Sequence, residues 1–174
     1  MLRDTHESIV DDWMTKAQAH DDDNYQFLRS LKWHPSSKKV DRVAKQLHEQ
    51  VFQIIDCTRC ANCCRTLRPD LTDADIDRIA LHLGQPREEF INTFLIWDDE
   101  DRCYRTKTAP CPLLSVDGRC TVYDVRPETC RDYPHTHKKD FVFNTMSRAD
   151  AALSCPAAFA IIEGMKRLLD RRKR

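Results

Sequence analysis

Four thiols fall within eight residues in the stretch Cys57-Thr58-Arg59-Cys60-Ala61-Asn62-Cys63-Cys64. The two-residue spacers of C-x-x-C-x-x-C let neighbouring sulfurs converge on one centre, and thiolates bind both zinc and iron–sulfur clusters. Adjacent side chains point about 100° apart in a helix and to opposite faces in a strand. The stretch therefore predicts a metal site without choosing the metal, with Cys63 and Cys64 serving two centres or two edges of one cluster.

The composition is that of one globular domain. The chain has 174 residues, enough to bury a core of its own. Charged residues make up 32% and cancel to zero net charge, so no overall field favours nucleic acid. No apolar run approaches the roughly 18–20 residues of a membrane span, and the first residues lack the apolar segment of a signal peptide. We therefore expect a cytoplasmic protein with no membrane partner.

The cysteine content favours metal ligation over disulfides. Nine cysteines make up about 5% of the chain, below the roughly 8–10% typical of small disulfide scaffolds. Their number is odd, and the cytosol keeps thiols reduced.

The regions that flank the cysteines are predicted to be helical. Residues 1–35 form an N-terminal helical extension, and a clear 3.6-residue period over 40–55 predicts a helix that runs into the four-cysteine stretch. A last helix follows Cys155-Pro156 and ends in a basic tail over 166–174. The cysteine-cluster domain is then expected to span 36–165.

A helical hairpin is predicted after the four-cysteine stretch. Thr72 is placed to cap a helix that stops at Gly84, and Pro86 starts a second helix. The apolar stripe of that second helix extends to Leu95, ahead of a charged loop that begins at Asp98.

A β-hairpin is predicted further along the chain. Asp117-Gly118 is a strong turn signal between the β-favouring runs 113–116 and 119–123. Such a hairpin brings Cys111 and Cys120 close together. The predicted fold class is therefore α+β, a small, mostly helical single domain with a short β-hairpin, organised around a cysteine-rich metal site.

Further candidate ligands follow this hairpin. Pro127 is placed at the first position of a short helix, so Cys130 would lie near a helix N-terminus, where the dipole lowers the pKa of a thiol. His135 and His137 provide an imidazole ligand or lie exposed in a strand or loop. His48, at the edge of an apolar stripe, is interpreted as a packing residue.

The cysteines and the residues around them resemble the YkgJ-type cysteine-cluster family. The resemblance spans about 57–156 and lies in the segments Cys57-x-x-Cys60-x-x-Cys63-Cys64, Pro110-Cys111-Pro112-Leu113-Leu114, Gly118-x-Cys120-x-Val122-Tyr123-x-x-Arg126-Pro127-x-x-Cys130-Arg131-x-Tyr133-Pro134 and Cys155-Pro156. The family is described as a zinc- or iron-chelating domain and is often labelled an iron–sulfur oxidoreductase. Its eight-cysteine pattern implies the metal ligands Cys57, Cys60, Cys63, Cys64, Cys111, Cys120, Cys130 and Cys155. Cys103 falls outside the pattern. We interpret it as a free thiol or as a substitute ligand.

Eight thiolates suit two four-ligand centres or one multinuclear site. The C-x-x-C-x-x-C run and the two Cys-Pro pairs favour iron–sulfur clusters, whereas the cysteines at the hairpin and at the helix terminus favour structural zinc. The first functional hypothesis is an iron–sulfur protein with a redox or electron-transfer role, an oxidoreductase if it is an enzyme. The second is a structural zinc module that binds a protein or, less favoured, nucleic acid, and the third is metal chelation or storage.

The resemblance also implies a relation to flagellin lysine N-methylase. The chain is short for that role, and its only glycines are Gly84, Gly118 and Gly164. It therefore has no glycine-rich loop to cradle a methyl donor in the usual Rossmann manner, and methyl transfer is the least favoured alternative.

Overall fold

The chain is α+β and mostly helical, as predicted. A computed structural model describes residues 5–169. None of the helices in this range combines the length and the apolarity that crossing a bilayer requires. The helices are α1 His6–Val10, α2 Trp13–Ala19, α3 Asp21–Ser30, α4 Ser37–Phe52, α5 Cys57–Cys60, α6 Asn62–Thr66, α7 Asp73–Leu83, α8 Arg87–Phe94, α9 Glu128–Asp132, α10 Thr145–Ala152 and α11 Pro156–Leu169, with 3-10 turns at Leu31–Trp33, Tyr123–Val125 and Phe141–Asn144. The strands are β1 Asp70–Leu71, β2 Leu95–Asp98 and β3 Cys103–Thr106.

The described residues form two compact units. We call residues 5–56 together with 134–169 the helical unit, and residues 57–133 the cysteine unit. The helical unit contains α1–α4, α10 and α11, whereas the cysteine unit contains α5–α9 and all three strands.

The helical unit is built on α4 and α11, which pack closely against each other. Ser36 caps α4 by accepting a hydrogen bond from the Lys39 amide, and the helix ends at Phe52, close to the predicted end. A Cβ at Gly164 on α11 would lie only 3.0 Å from Cδ2 of Leu47 on α4, so glycine permits this approach. Between residues 6 and 30 the chain forms three separate helices rather than one, and the basic tail beyond residue 169 lies outside the described residues.

The predicted helical hairpin forms the centre of the cysteine unit. Thr72 and Asp75 make a full capping box at the start of α7, in which each side chain accepts a hydrogen bond from the other residue's amide. Gly84 ends α7 in the left-handed conformation, with φ 68°, and Pro86 precedes α8. The buried core of this unit consists of Leu71, Ile76, Ile79, Ala80, Phe90, Leu95, Leu113 and Val122.

The sheet lies where the sequence predicts the end of a helix and a charged loop. β2 and β3 form an antiparallel hairpin with Trp97 opposite Tyr104, and β1 adds to the other edge of β3. The prediction that the helix includes Leu95 is wrong because α8 stops at Phe94. The Asp98 carboxylate then accepts hydrogen bonds from the amides of residues 100 and 101, which closes the turn.

The predicted β-hairpin is present only as a tight turn with a single bridge. Gly118 has φ 81°, as the turn signal requires, and Leu114 pairs with Cys120. The Thr121 amide donates to the Leu113 carbonyl at 3.0 Å. No regular strand flanks this turn within the described residues, so the prediction of two strands at this position is wrong.

Candidate metal centre

The four-cysteine stretch folds as two short helical segments rather than one helix. Ala61, between α5 and α6, has φ 47°, a conformation that is uncommon for a residue with a side chain. This break changes the direction in which the cysteines project. Cys57 is exposed, whereas Cys60, Cys63 and Cys64 are partly buried.

Backbone hydrogen bonds connect Cys64 to the tight turn that carries two further cysteines. The Cys111 amide donates to the Cys64 carbonyl at 2.8 Å. The Leu114 amide donates to the Cys111 carbonyl at 3.0 Å, and Leu114 pairs with Cys120 across the turn. Both Cys111 and Cys120 are partly buried against the core of the cysteine unit.

The short helix α9 carries Cys130 and is fixed to α7 and β1. The Glu128 amide donates to the Asp75 carboxylate at 3.2 Å, and the Thr129 hydroxyl donates to the Asp70 carbonyl at 2.7 Å. Cys130 lies within a helix of five residues, close to its N-terminus, as predicted.

The expected lowering of the Cys130 pKa is wrong. Burial raises the pKa of Cys130 to about 12, and the charges of Cys64, Cys111 and Cys120 raise it further. These effects outweigh the dipole of so short a helix.

The electrostatics place four cysteines within range of one another. Burial raises the pKa of Cys111 to about 11, with contributions from Cys64 and Cys120, and burial together with Cys64 raises the pKa of Cys120. Cys130 is affected by the other three, so each pair among these four thiols interacts in at least one direction. We call Cys64, Cys111, Cys120 and Cys130 the four-thiol group.

A guanidinium group faces the four-thiol group. The positive charge of Arg126 lowers the pKa of Cys64, Cys120 and Cys130. Its guanidinium lies 3.9 Å from the centre of the Tyr123 ring, and Nη1 donates to the Tyr123 carbonyl at 2.7 Å. The sequence analysis missed this role; the available signal was a lone arginine between the turn and Cys130.

Cys64 differs from the other members of the four-thiol group. A hydrogen bond from Cys63 lowers the pKa of Cys64 to about 7; burial opposes this effect, and the charges of Arg65 and Arg126 support it. Arg65 is held in place because its Nη1 donates to the Cys60 carbonyl at 2.7 Å. The Cys64 thiol is therefore the most readily ionised member of the four-thiol group.

The remaining predicted residues lie elsewhere in the two units. Cys155 lies directly before α11 and is partly buried against the core of the helical unit. His135 and His137 belong to the helical unit as well. Cys103 lies on β3 of the cysteine unit, where burial and the neighbouring Asp70 raise its pKa.

The donor chemistry of the four-thiol group fits a thiophilic metal. Four sulfurs are the ligand set of structural zinc sites and of common iron–sulfur clusters. Across residues 5–169, no three His, Cys, Asp or Glu side chains are arranged to hold an ion as they stand. Ligation by the four-thiol group would therefore require its sulfurs to move closer together.

The comparison with protein families agrees with this donor set. The model of the CxxCxxCC family, described as a "putative zinc- or iron-chelating domain", matches residues 56–155, more than half of the chain. The matched range includes all eight cysteines of the predicted ligand set. No curated protein and no solved structure is detectably similar to the chain.

Proposed function

We propose, since the chain belongs to the CxxCxxCC family of zinc- or iron-chelating domains, that it binds an iron–sulfur cluster and has a redox or electron-transfer role. As an enzyme it would be an iron–sulfur oxidoreductase. The proposed metal ligands are Cys57, Cys60, Cys63, Cys64, Cys111, Cys120, Cys130 and Cys155.

The electrostatic influence of the thiols of the four-thiol group on one another is the observation that supports this proposal. The Cys111 amide bonds to the Cys64 carbonyl, the tight turn returns Cys120 towards Cys111, and Cys130 lies within charge range of all three. Four thiolates complete the coordination of a single cluster or of a single tetrahedral ion. We assign these four to one centre, and the remaining cysteines of the pattern stay in the proposed ligand set.

Arg126 would stabilise the anionic form of this centre. Its charge acts on three of the four thiols, and its contact with Tyr123 holds the guanidinium in place. A bound cluster would supply one-electron transfer. Partial burial and a nearby cation are among the features by which proteins adjust the reduction potential of such a group.

A structural zinc module is the second candidate, and the small core of the cysteine unit favours it. The buried apolar cluster of this unit, which spans 57–133, has eight residues. Structural zinc contributes roughly 10–16 kcal/mol of apparent binding energy, comparable with the net stability of a whole domain, about 5–15 kcal/mol. The function would then lie in a surface that binds a protein, with chelation or storage as the third candidate.

The metal itself distinguishes these candidates. The protein would be purified without oxygen, and its visible absorption, iron, zinc and acid-labile sulfide would be measured on one sample. We expect a brown protein with matched iron and sulfide. A colourless protein with stoichiometric zinc would replace the redox proposal with the structural one.

Serine variants test the ligand assignment. Cys111→Ser, Cys120→Ser and Cys130→Ser should each lose metal from the same centre, because each removes one of its four sulfurs. Cys103→Ser is the matched control, since it removes a partly buried thiol that lies outside the pattern. Full metal content in the first three variants, or an equal loss in the control, would contradict the assignment.

The predicted domain boundaries, after residues 35 and 165, and the cytoplasmic location stay predictions.

A further inference from the structure

We propose that one end of the helical unit binds an anionic lipid surface, where exposed aromatic side chains enter the headgroup region and lysines bind the negative charge. We call this surface the lysine–aromatic end, and its residues are Trp33, Phe143, Met146, Lys32, Lys38, Lys39, Lys138 and Lys139. The expectation of no membrane partner was based on the lack of an apolar span and of a signal segment. Contact with the surface of a bilayer needs neither of them.

Three segments that are distant in the sequence meet at this end. The Asp41 carboxylate, near the start of α4, accepts hydrogen bonds from the amides of residues 140 and 141, at 3.0 and 2.9 Å. The 3-10 turn Phe141–Asn144 packs against α4 and against the 3-10 turn Leu31–Trp33. The two turns and the first turn of α4 therefore lie next to one another within the helical unit.

Two of these segments hold large aromatic side chains in water. Trp33 is 86% exposed and Phe143 is 77% exposed, and every other Phe, Tyr or Trp side chain in residues 5–169 is less exposed than these two. Phe141 and Val142 are buried in the core, so the turn that carries Phe143 is anchored. Met146, near the start of α10, adds a third exposed apolar side chain. Apolar side chains that are exposed together mark interaction sites.

Positive charge accompanies these apolar side chains. All five lysines of the lysine–aromatic end are exposed, whereas the same segments contain two carboxylates, Asp41 and Asp140. Asp41 is already engaged by two backbone amides. Within the described residues the side chains of Lys32, Lys38, Lys39 and Lys139 form no ion pair. Their charge is therefore available to a partner outside the chain, and that partner must be anionic.

The use of lysine favours a lipid surface over other anionic partners. Arginine is the preferred residue where one phosphate of a nucleic acid or one carboxylate of a protein is bound by two parallel hydrogen bonds. Lysine is also depleted in protein–protein interfaces. A lysine acts as a hydrated point charge, which suits the diffuse negative charge of anionic lipids. Trp and Phe combined with lysines are also typical of segments that lie in the headgroup region.

The two kinds of side chain would contribute in different ways. The lysines attract the protein through charge, and salt screens this attraction over about 10 Å. The aromatic side chains contribute by leaving water, an effect that does not require lipid charge. Binding should therefore depend on anionic lipid, on salt and on both aromatic residues.

The test uses the full-length protein with its metal bound and vesicles of phosphatidylcholine and phosphatidylserine, roughly three to one. Flotation measures the fraction of protein that binds. We expect binding to these vesicles, weaker binding at high salt and no binding to phosphatidylcholine alone. Binding to neither kind of vesicle, or equal binding to both, would overturn the proposal.

Aromatic variants test whether this end makes the contact. Trp33→Ala and Phe143→Ala should each weaken binding about 10-fold or more, because each removes a large apolar side chain that leaves water on binding. The matched control is Leu81→Ala, which removes an exposed apolar side chain of the cysteine unit and should bind like the wild type. Wild-type binding by both aromatic variants would refute the site.

Lysine variants test the charge. Lys39→Gln and Lys139→Gln should each weaken binding about fivefold, the usual contribution of one lysine near an anionic surface. The control Lys45→Gln removes the same charge from α4, but Lys45 lies further along the helix and pairs with Glu49. It should change binding less than about twofold. The basic residues at 171–174 remain in every variant. Binding that none of the variants changes would belong to another part of the chain and would refute the lysine–aromatic end.

Two further measurements identify the partner. Trp fluorescence should be quenched by phosphatidylcholine brominated on its acyl chains and mixed into the anionic vesicles. Trp33→Phe should bind these vesicles but lose that quenching, because the buried Trp13 does not reach the lipid. Unchanged quenching in Trp33→Phe would contradict insertion of this ring. Binding of a single-stranded oligonucleotide in place of vesicles, lost in the same variants, would replace the lipid with nucleic acid.

The outcome is distinct from that of the proposed function. The lysine–aromatic end contains none of the proposed cysteine ligands. A protein whose cysteines bind no metal would refute the iron–sulfur proposal and leave the vesicle measurements interpretable.

Discussion

The helical unit and the cysteine unit differ in what can stabilise them. The helical unit buries nineteen residues in one apolar cluster, whereas the cysteine unit buries eight. Burial of a large apolar side chain contributes about 1.5–3 kcal/mol, and ordering each residue costs about 1–2 kcal/mol. The cysteine unit therefore needs interactions other than apolar packing far more than the helical unit does.

Ion pairs in the cysteine unit do not supply what its core lacks. Arg105 on β3 contacts three carboxylates, those of Asp70, Asp98 and Asp101. These side chains remain partly exposed, and pairs that solvent screens contribute roughly 0–1 kcal/mol each. The comparison suggests that metal binding by the thiols stabilises the cysteine unit in either proposed function. A bound metal is the remaining interaction that could contribute strongly to its free energy of unfolding.

Removal of the metal should therefore have the largest effect, confined to one unit. After a chelator has removed the metal from the proposed ligands, we expect the backbone amides of 57–133 to lose their protection from hydrogen exchange. The amides of α4 and α11 should remain protected. The physical reason is that a thiolate-bound ion contributes about as much as the whole stability of a small domain. Exchange that increases equally in both units, or in neither, would contradict the comparison.

Truncation of the small core should have the next largest effect. Phe90 is fully buried and lies 5.3 Å from Phe94 between ring centres. Phe90→Ala should lower the free energy of unfolding by about 3–5 kcal/mol, through lost burial and a residual cavity. Urea unfolding of the metal-bound protein measures this.

The exposed Phe143 provides the matched control for this substitution. Its side chain is 77% exposed, so Phe143→Ala should change stability by less than about 0.5 kcal/mol. Equal losses for the two variants would mean that the small core does not stabilise the cysteine unit.

A buried carboxylate that connects α7 to the segment of Cys130 should have a smaller effect. Asp75 accepts hydrogen bonds from the Thr72 amide and hydroxyl, at 3.0 and 2.7 Å, and from the Glu128 amide. Asp75→Asn keeps the shape but leaves one acceptor oxygen, so a loss of about 1.5–3 kcal/mol is expected, as for hydrogen bonds to charged groups. The control is Asp77→Asn, because Asp77 pairs with Arg87 at the surface, where such pairs contribute roughly 0–1 kcal/mol. If Asp77→Asn lowers the free energy of unfolding as much as Asp75→Asn does, the Asp75 carboxylate acts only through net charge.

Local signals in the sequence predicted much of this fold. The cap at Thr72, the stop at Gly84 and the turn at Gly118 were correct because each depends on the residues beside it. The helix over 40–55 was also correct, since its apolar period extends over four turns.

Features that depend on distant residues were not predictable in the same way. Leu95 fits a helical stripe, but it pairs with Thr106 in the sheet, a tertiary preference that overrides a short local pattern. The pKa of Cys130 depends on burial and on three other thiols, whereas the sequence shows only its place in a helix. His48 was interpreted as a packing residue, and its contacts with Thr136 and His137 come from 88 residues away or more along the chain.

The smallest expected effect is a pH dependence that belongs to the helical unit. The pKa of His48 is about 4 in the folded chain, against an ordinary value of 6.5, because of burial first and of His137 second, with Glu49 opposing. Between these values the unfolded chain binds a proton that the folded chain does not bind. Stability should therefore fall as the pH drops from about 6.5 to about 4, and His48 should contribute no further change below or above that window.

His48→Gln should flatten this part of the pH profile. The measurement is the difference in free energy of unfolding between the wild type and the variant at each pH, without added divalent ions, which cancels the titration of all other groups. His82→Gln, on an exposed helix face in the other unit, should leave the profile unchanged. The effect should be modest because the ring is only half-buried, where solvent screens the charge. A constant difference between wild type and His48→Gln from pH 4 to 7 would mean that the ring protonates equally in both states, and that the contact with His137 does not keep it neutral.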